Sequence, residues 1–204
     1  MNRARWARYW DRKSDRYDAE MMRWDQRLFG DSRPWACSKA RGEVLEVAVG
    51  SGLNLPHYPP DVQLTGVDFS TKMLDLAAER AASLNRAIRL LRADAQRLPL
   101  ADNSFDTVVC TFGLCAIPDN EAALDEITRV LRPDGLLILV DHVVSTSRFI
   151  RAGQWLVERI TVPLAGEHFL RRQLPLVRAR GYTIVQAERF RHGLVERLVA
   201  TRLR

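Results

Sequence analysis

Lysine is nearly missing from this 204-residue chain: it occurs only at Lys13, Lys39 and Lys72, and arginine supplies the rest of the 31 basic residues. The arginines lie beside acids with no block of five like charges, so the net charge of +6 describes a solvated basic surface rather than a nucleic-acid tail. Cysteine is scarce too. Cys37, Cys110 and Cys115 are odd in number and without metal-ligand spacing, so no disulfide framework and no metal are expected, and a reducing cytoplasm suits them. No apolar run approaches the ~18 residues of a spanning helix, although peripheral contact with a membrane stays compatible with the basic balance. The stretch MNRARWARYWDRKSDRYD lacks the apolar core of a signal peptide, so export is not expected. Internal repeats and low-complexity tracts are absent as well. At 47% hydrophobic and 27% charged, the composition predicts one globular domain over 1–204.

What is present centres on residues 43–68. Val44 to Val49 is an apolar, largely β-branched run, as in a strand buried on both faces, and Gly50-Ser51-Gly52 follows at once. Glycine there allows a tight turn and close approach of a ligand to the main chain. A second short strand, Gln63 to Val67, ends in Asp68. A carboxylate at that tip can accept both hydroxyls of a ribose held over the glycine turn. Strand, glycine turn, strand and acid form a nucleoside-binding pattern.

Before it, residues 1–35 carry Trp6, Trp10, Trp24 and Trp35, four of the five tryptophans. Trp6, Tyr9, Trp10, Lys13 and Tyr17 recur at three- and four-residue steps, which on a helix makes one aromatic stripe. Gly30-Asp31 and Pro34 are expected to interrupt it. The stripe either docks the helix on the domain or forms a lid whose ring faces suit a cationic ligand.

After Asp68, Ser70 is the expected N-cap of a helix over Thr71 to Asn85. Strands are expected at 88–92, 105–111 and 136–141, and a helix over Glu121 to Leu131 that Arg132-Pro133-Asp134-Gly135 ends as a turn. Ser145 to Arg172 reads as helix broken near Pro163 to Gly166, with another helix near 174–180. Two β-like runs, 182–188 and 194–201, are joined too closely for a crossover helix and must form an antiparallel hairpin. This rhythm predicts an α/β, doubly wound, mostly parallel sheet with right-handed crossovers. Its divisions are the helical lid segment (1–35), a cofactor-binding core (43–141), and substrate-side helices with the terminal hairpin (142–204).

Four stretches carry a family resemblance: LEVAVGSGLN, Asp68, ADAQRLPLADNSFDTVVC and LDEITRVLRPDGLLIL, in order and suitably spaced. The chain resembles class I S-adenosylmethionine-dependent methyltransferases, and within them the group of ubiquinone and menaquinone, phospholipid and thiol methylases. The resemblance implies a seven-stranded Rossmann-like sheet with one reversed edge strand, S-adenosylmethionine as cofactor, and a small-molecule or lipid-like acceptor. It implies a cofactor pocket formed by Tyr17, Glu46, Ala48, Gly50, Gly52, Asn54, Asp68, Phe69, Met73, Asp94, Ala95, Thr111 and Phe112. In that set Glu46 orients the loop and the amino-acid portion, Asp68 takes the ribose, Asp94 the adenine amine, and Thr111 with Phe112 the methionine end. Ala48 departs from the family, which commonly has glycine there.

A general base is needed only for an acceptor that must lose a proton. His142 is the candidate, with His168 behind it, and Cys115 is more simply a buried thiol. Two alternatives remain. A nicotinamide- or flavin-dependent Rossmann oxidoreductase would want a third glycine where Leu55 stands. A non-catalytic interaction module could keep the methyltransferase fold. The Asn-Pro-Pro-Tyr signature of nucleic-acid amino-methylases is absent, which disfavours nucleic acid as the acceptor.

Overall fold

The computed structural model describes residues 3–202, with side chains from residue 5. Seven strands form one sheet in the order β3-β2-β1-β4-β5-β7-β6. They are β1 (Glu43–Val47), β2 (Gln63–Asp68), β3 (Ile88–Arg92), β4 (Phe105–Thr111), β5 (Leu131–His142), β6 (Tyr182–Phe190) and β7 (Val195–Arg202). The first five are mutually parallel, and β7 runs antiparallel to both β5 and β6. The reversed strand is therefore not the edge: the short 191–194 connection folds β7 back along β6, and β7 slots between β5 and β6.

Apolar runs on β1, β4 and β5 are buried on both faces, as parallel central strands must be. Leu45, Val47, Val108, Cys110, Leu137 and Leu139 belong to one core cluster, whereas Val44, Val109, Ile138 and Val140 belong to a second. Chain order reverses between β1 and β4, so the crevice at their carboxyl ends is the place where an open α/β sheet binds ligands. The glycine turn leaves β1 there, and Thr111-Phe112 leaves β4.

Helix α1 spans Arg3–Trp24 and continues as a wide turn, Asp25–Phe29. Gly30 breaks it at φ 59. Pro34 does not interrupt a helix; it lies inside a short one, α2 (Ser32–Cys37), whose first turn needs no proline N–H. Helix α3 (Thr71–Ser83) starts at Ser70, whose hydroxyl accepts the Met73 amide at 3.2 Å. Helix α4 (Asn120–Val130) is capped by Asp119, which accepts the Ala122 amide at 3.0 Å.

Two expectations fail locally. Arg132-Pro133-Asp134-Gly135 does not separate helix from strand but bulges within β5, whose pairing jumps from Phe105↔Leu131 to Thr107↔Leu136. Asp134 takes φ 63 there. The residue before proline favours extended backbone, so the chain leaves α4 directly into β5. Helix α5 (Arg148–Ala165) accommodates Pro163 and stops at left-handed Gly166, and residues 167–172 are not helical. Their polar groups are taken elsewhere: His168 N–H donates to the Cys115 carbonyl (2.9 Å), and the Arg171 guanidinium donates to the carbonyls of Leu114, Ile117 and Pro118. Helix α6 (Gln173–Ala179) then leads into β6.

Candidate functional site

Asp68 ends β2 with its carboxylate half-buried at the turn. One oxygen accepts the Gly50 amide and the other the Ser70 amide, each at 2.9 Å. Burial raises its pKa, and the Ser70 and Gly50 amides pull it back. Each oxygen keeps lone-pair capacity for a further donor. Gly50 sits at φ 55, and a Cβ there would meet the Tyr17 ring at 3.7 Å. At Gly52 (φ 79) a Cβ would run to 2.9 Å from the Leu55 side chain and 3.3 Å from the Ala77 backbone, so that glycine is required by packing. Ala48, where the resemblance expects glycine, takes φ 57 with its Cβ in place.

A cleft of about 590 Å³, including its mouth, opens over this turn. Eight of the expected residues line it: Tyr17, Ala48, Gly50, Asp68, Phe69, Met73, Ala95 and Phe112. Trp6 and Trp10 of α1 also wall it, and Trp6 packs on Phe69 with ring centroids 4.7 Å apart.

Glu46, Gly52, Asn54, Asp94 and Thr111 do not line the cleft. Glu46, Asn54 and Thr111 form a buried network beneath the turn. Asn54 donates to Glu46 (2.8 Å) and to the Thr111 hydroxyl (2.9 Å). Burial pushes the Glu46 carboxyl up to about 7, against the Tyr58 and Asn54 side chains and the Arg33 charge. The Tyr58 hydroxyl lies near Glu46 and Cys37 without a well-formed hydrogen bond to either. Asp94 accepts the Gln96 amide and side chain at 3.0 and 2.8 Å, at the edge of the cleft's Ala93–Ala95 wall.

Sequence reasoning missed Arg33. From α2 its Nε donates to Asp25 (3.0 Å) and its Nη1 to Asn54 (3.1 Å), with the guanidinium 5.2 Å from the Phe112 ring centroid. Among the described residues, nothing pairs with Arg33 Nη2 or Glu46 Oε2, and both are buried. An arginine among so many gave no signal in the sequence; its burial against Asn54 and Phe112 distinguishes it.

A second cavity, about 880 Å³ with its mouth, shares Trp10, Tyr17, Phe112 and Ala116 with the first. Its remaining walls are largely apolar, among them Met21, Trp24, Phe29 and Phe169, with Lys13, Glu167, Cys115 and His142 as polar points. Lys13 pairs with Glu167 at 3.1 Å and lies 5.2 Å from the Trp10 ring centroid. Burial opposes its charge, but Glu167 and Tyr9 outweigh burial and its pKa rises. The aromatic stripe thus already holds a resident cation.

His142 stacks on Phe169 at 4.6 Å, and among the described residues nothing hydrogen-bonds its buried Nδ1. Its neighbour Asp141 accepts the Cys115 and His142 amides, both at 2.9 Å. Ligand atoms of Cys115, Asp141 and His142 lie within 4.8 Å of one another, a grouping that sequence spacing could not reveal. Burial and then Asp141 push the Cys115 thiol well up, so it stands as a thiol. His168 lines neither cavity and is bound to Glu158 at 3.0 Å.

Helix α1 is tied over the turn by three polar contacts: Ser70 to Asp11, Ser51 to Asp18, and Arg80 to Asp18. Among the described residues no helix is long and apolar enough to cross a membrane.

The methyltransferase-domain family profile matches residues 45–139. A phosphatidylethanolamine N-methyltransferase of Cereibacter sphaeroides is 42% identical over 103 residues, covering 50% of this chain and 51% of that protein. A demethylmenaquinone methyltransferase of Deinococcus radiodurans is 43% identical over 101 residues, covering 48% and 42%. The chain spans about half the length of the curated relatives it matches. The crystal structure of an S-adenosylmethionine-dependent methyltransferase from Thermotoga maritima superposes with a TM-score of 0.68 at 24% identity, over 92% of this chain and 97% of that one.

Proposed function

We propose that this chain, a class I S-adenosylmethionine-dependent methyltransferase by its sheet and by its domain at residues 45–139, methylates a small-molecule or lipid-like acceptor. The observation that carries the reading is the pair of adjoining cavities with Trp10, Tyr17, Phe112 and Ala116 as a common wall. Methyl transfer needs two ligands held end to end in a dry site, and this layout provides one compartment for each.

S-adenosylmethionine is the expected cofactor, and the residues fit it. Asp68 would take the ribose hydroxyls, and Phe69, Met73 and Ala95 offer apolar walls to the base. Glu46 and Arg33, each with an unpaired buried atom, lie beneath the turn where an amino-acid tail carries charges of both signs. When bound, the cofactor supplies an electrophilic methyl group on a sulfonium. The protein's part is to align and desolvate the acceptor. Tyr17 closes over Gly50, Phe112 forms the partition, and residues 1–35 act as the lid.

The second cavity favours an acceptor with an apolar or aromatic body. His142, which lines this cavity, would receive the proton from an acceptor that must lose one. The names of the two relatives, a phospholipid and a quinone methylase, support that acceptor class. The test is a labelled methyl-transfer screen of the full chain against quinols, phenols, thiols, amines and phospholipids, with nucleic acid and protein as comparison acceptors. Transfer to an apolar member of the set is expected; transfer only to polar, nucleic-acid or protein acceptors would overturn the reading.

A further inference from the structure

Helix α5 is amphipathic the wrong way round for a surface helix. Its polar Gln154 is buried, donating to the Val143 and Phe169 carbonyls at 3.0 and 3.1 Å, whereas Phe149 is 91% exposed and Leu156, Ile160 and Leu164 about 60%. At about 100° per residue, Phe149, Leu156, Val157, Ile160 and Leu164 fall on one outward arc with no charged residue among them. Arg148 and Arg159 lie along one side of that arc, Arg151 falls on the opposite side of the helix, and the Arg159 guanidinium lies 3.9 Å from the centroid of the half-exposed Trp155 ring. The only acid on the helix, Glu158, is turned inward and engaged by His168 and the Leu170 amide.

We propose that the outer face of α5 docks on an anionic lipid bilayer, its apolar arc entering the boundary between headgroups and acyl chains and its arginines engaging lipid phosphates. An apolar arc with cations and an indole along one side suits an in-plane interfacial helix. Long arginine side chains can keep their charge at headgroup level while the apolar residues sink. A second copy of the chain is the poorer occupant: self-pairing of this face brings arginines against arginines, with Glu158 unavailable to offset them. The inner face of the same helix lines the second cavity through Gln154, so docking would set that cavity's wall against the lipid surface. The proposal does not depend on the methyl-transfer reading.

The test is sedimentation of the full chain with vesicles of phosphatidylglycerol and phosphatidylcholine, and with phosphatidylcholine alone. Binding to the mixed vesicles should be at least tenfold tighter and should weaken at high salt. Phe149→Asp with Ile160→Asp should lose at least tenfold in vesicle binding. Arg148→Glu with Arg159→Glu should lose the preference for anionic lipid. Both variants should keep the thermal midpoint and S-adenosylhomocysteine affinity of the parent, since none of the four residues lines either cavity. Equal binding to the two vesicle types, or vesicle binding unchanged in the first variant, overturns the proposal. So does a dimer by light scattering that the first variant converts to monomer while the parent ignores vesicles.

Discussion

The Asp68 carboxylate accepts the Gly50 amide at 2.9 Å, so the acid that ends β2 and the glycine turn that leaves β1 form one hydrogen-bonded unit. Any variant of Asp68 therefore perturbs the turn as well as the ligand it would hold.

From this follows a graded expectation. Asp68→Ala leaves the Gly50 and Ser70 amides without their acceptor, at about 1–3 kcal/mol for each unsatisfied buried group. Asp68→Asn keeps one acceptor oxygen. Calorimetry should show S-adenosylhomocysteine affinity falling at least about tenfold, or ~1.4 kcal/mol, in the Ala variant and less in the Asn variant, with thermal midpoints in the same order. An unchanged dissociation constant in a folded Asp68→Asn protein would mean that the ribose binds elsewhere.

Ala48 holds φ 57 with a Cβ, a conformation costing about 1–2 kcal/mol that glycine avoids. After the extra chain entropy of glycine, Ala48→Gly should gain about 0.5–1 kcal/mol and raise the thermal midpoint by ~1–4 °C. Scanning calorimetry checks this, and a lowered midpoint would show that the Cβ contributes more through packing than it costs in backbone strain.

Glu46 supplies a pH dependence. Its folded pKa, about 7, lies above the ordinary 4.5, so the folded protein holds this proton more tightly than the unfolded chain. The resulting stability is present in full below pH 4.5 and is lost as pH rises through about 7. Glu46→Gln, a neutral mimic, should flatten that loss, by about 3 kcal/mol at most. Arg33→Met removes a charge that favours ionised Glu46 and should move the loss to higher pH. Denaturation midpoints between pH 4 and 8, taken as differences from the parent, remove the parallel contributions of Asp68 and Asp141, which burial also raises. Identical slopes in the parent and Glu46→Gln would rule out the proton on Glu46.

Much of this was legible in the sequence because parallel core strands write themselves as unbroken apolar runs. β3 and β4 begin and end where the runs at 88–92 and 105–111 do. The glycine turn and Asp68 were legible for the same reason, since they interrupt such runs at fixed distances. What stayed hidden depends on long-range contact. Arg33 looks like any other arginine until α2 buries it, and Lys13 meets Glu167 only across the fold. Cys115, Asp141 and His142 converge only once β4 and β5 lie side by side. Residues 131–135 misled because proline and glycine mark a bulge and a turn equally well. The outward apolar face of α5 carries helical periodicity whichever side it turns to the core.

His142 should separate chemistry from cofactor binding. It lines the second cavity and not the first, so His142→Asn should leave S-adenosylhomocysteine affinity within about twofold. With an acceptor that must lose a proton, turnover should fall by about 10²-fold or more, the contribution typical of a positioned base. Unchanged turnover of such an acceptor in the variant would exclude the imidazole as the base.

The central claim, that the cleft over Gly50 and Asp68 holds an adenosine with an amino-acid tail, is tested most directly by calorimetry of the full chain. S-adenosylmethionine and S-adenosylhomocysteine are titrated in parallel with NAD. Micromolar binding of the first two and none of NAD is the predicted result; NAD binding more tightly than S-adenosylhomocysteine would contradict the account.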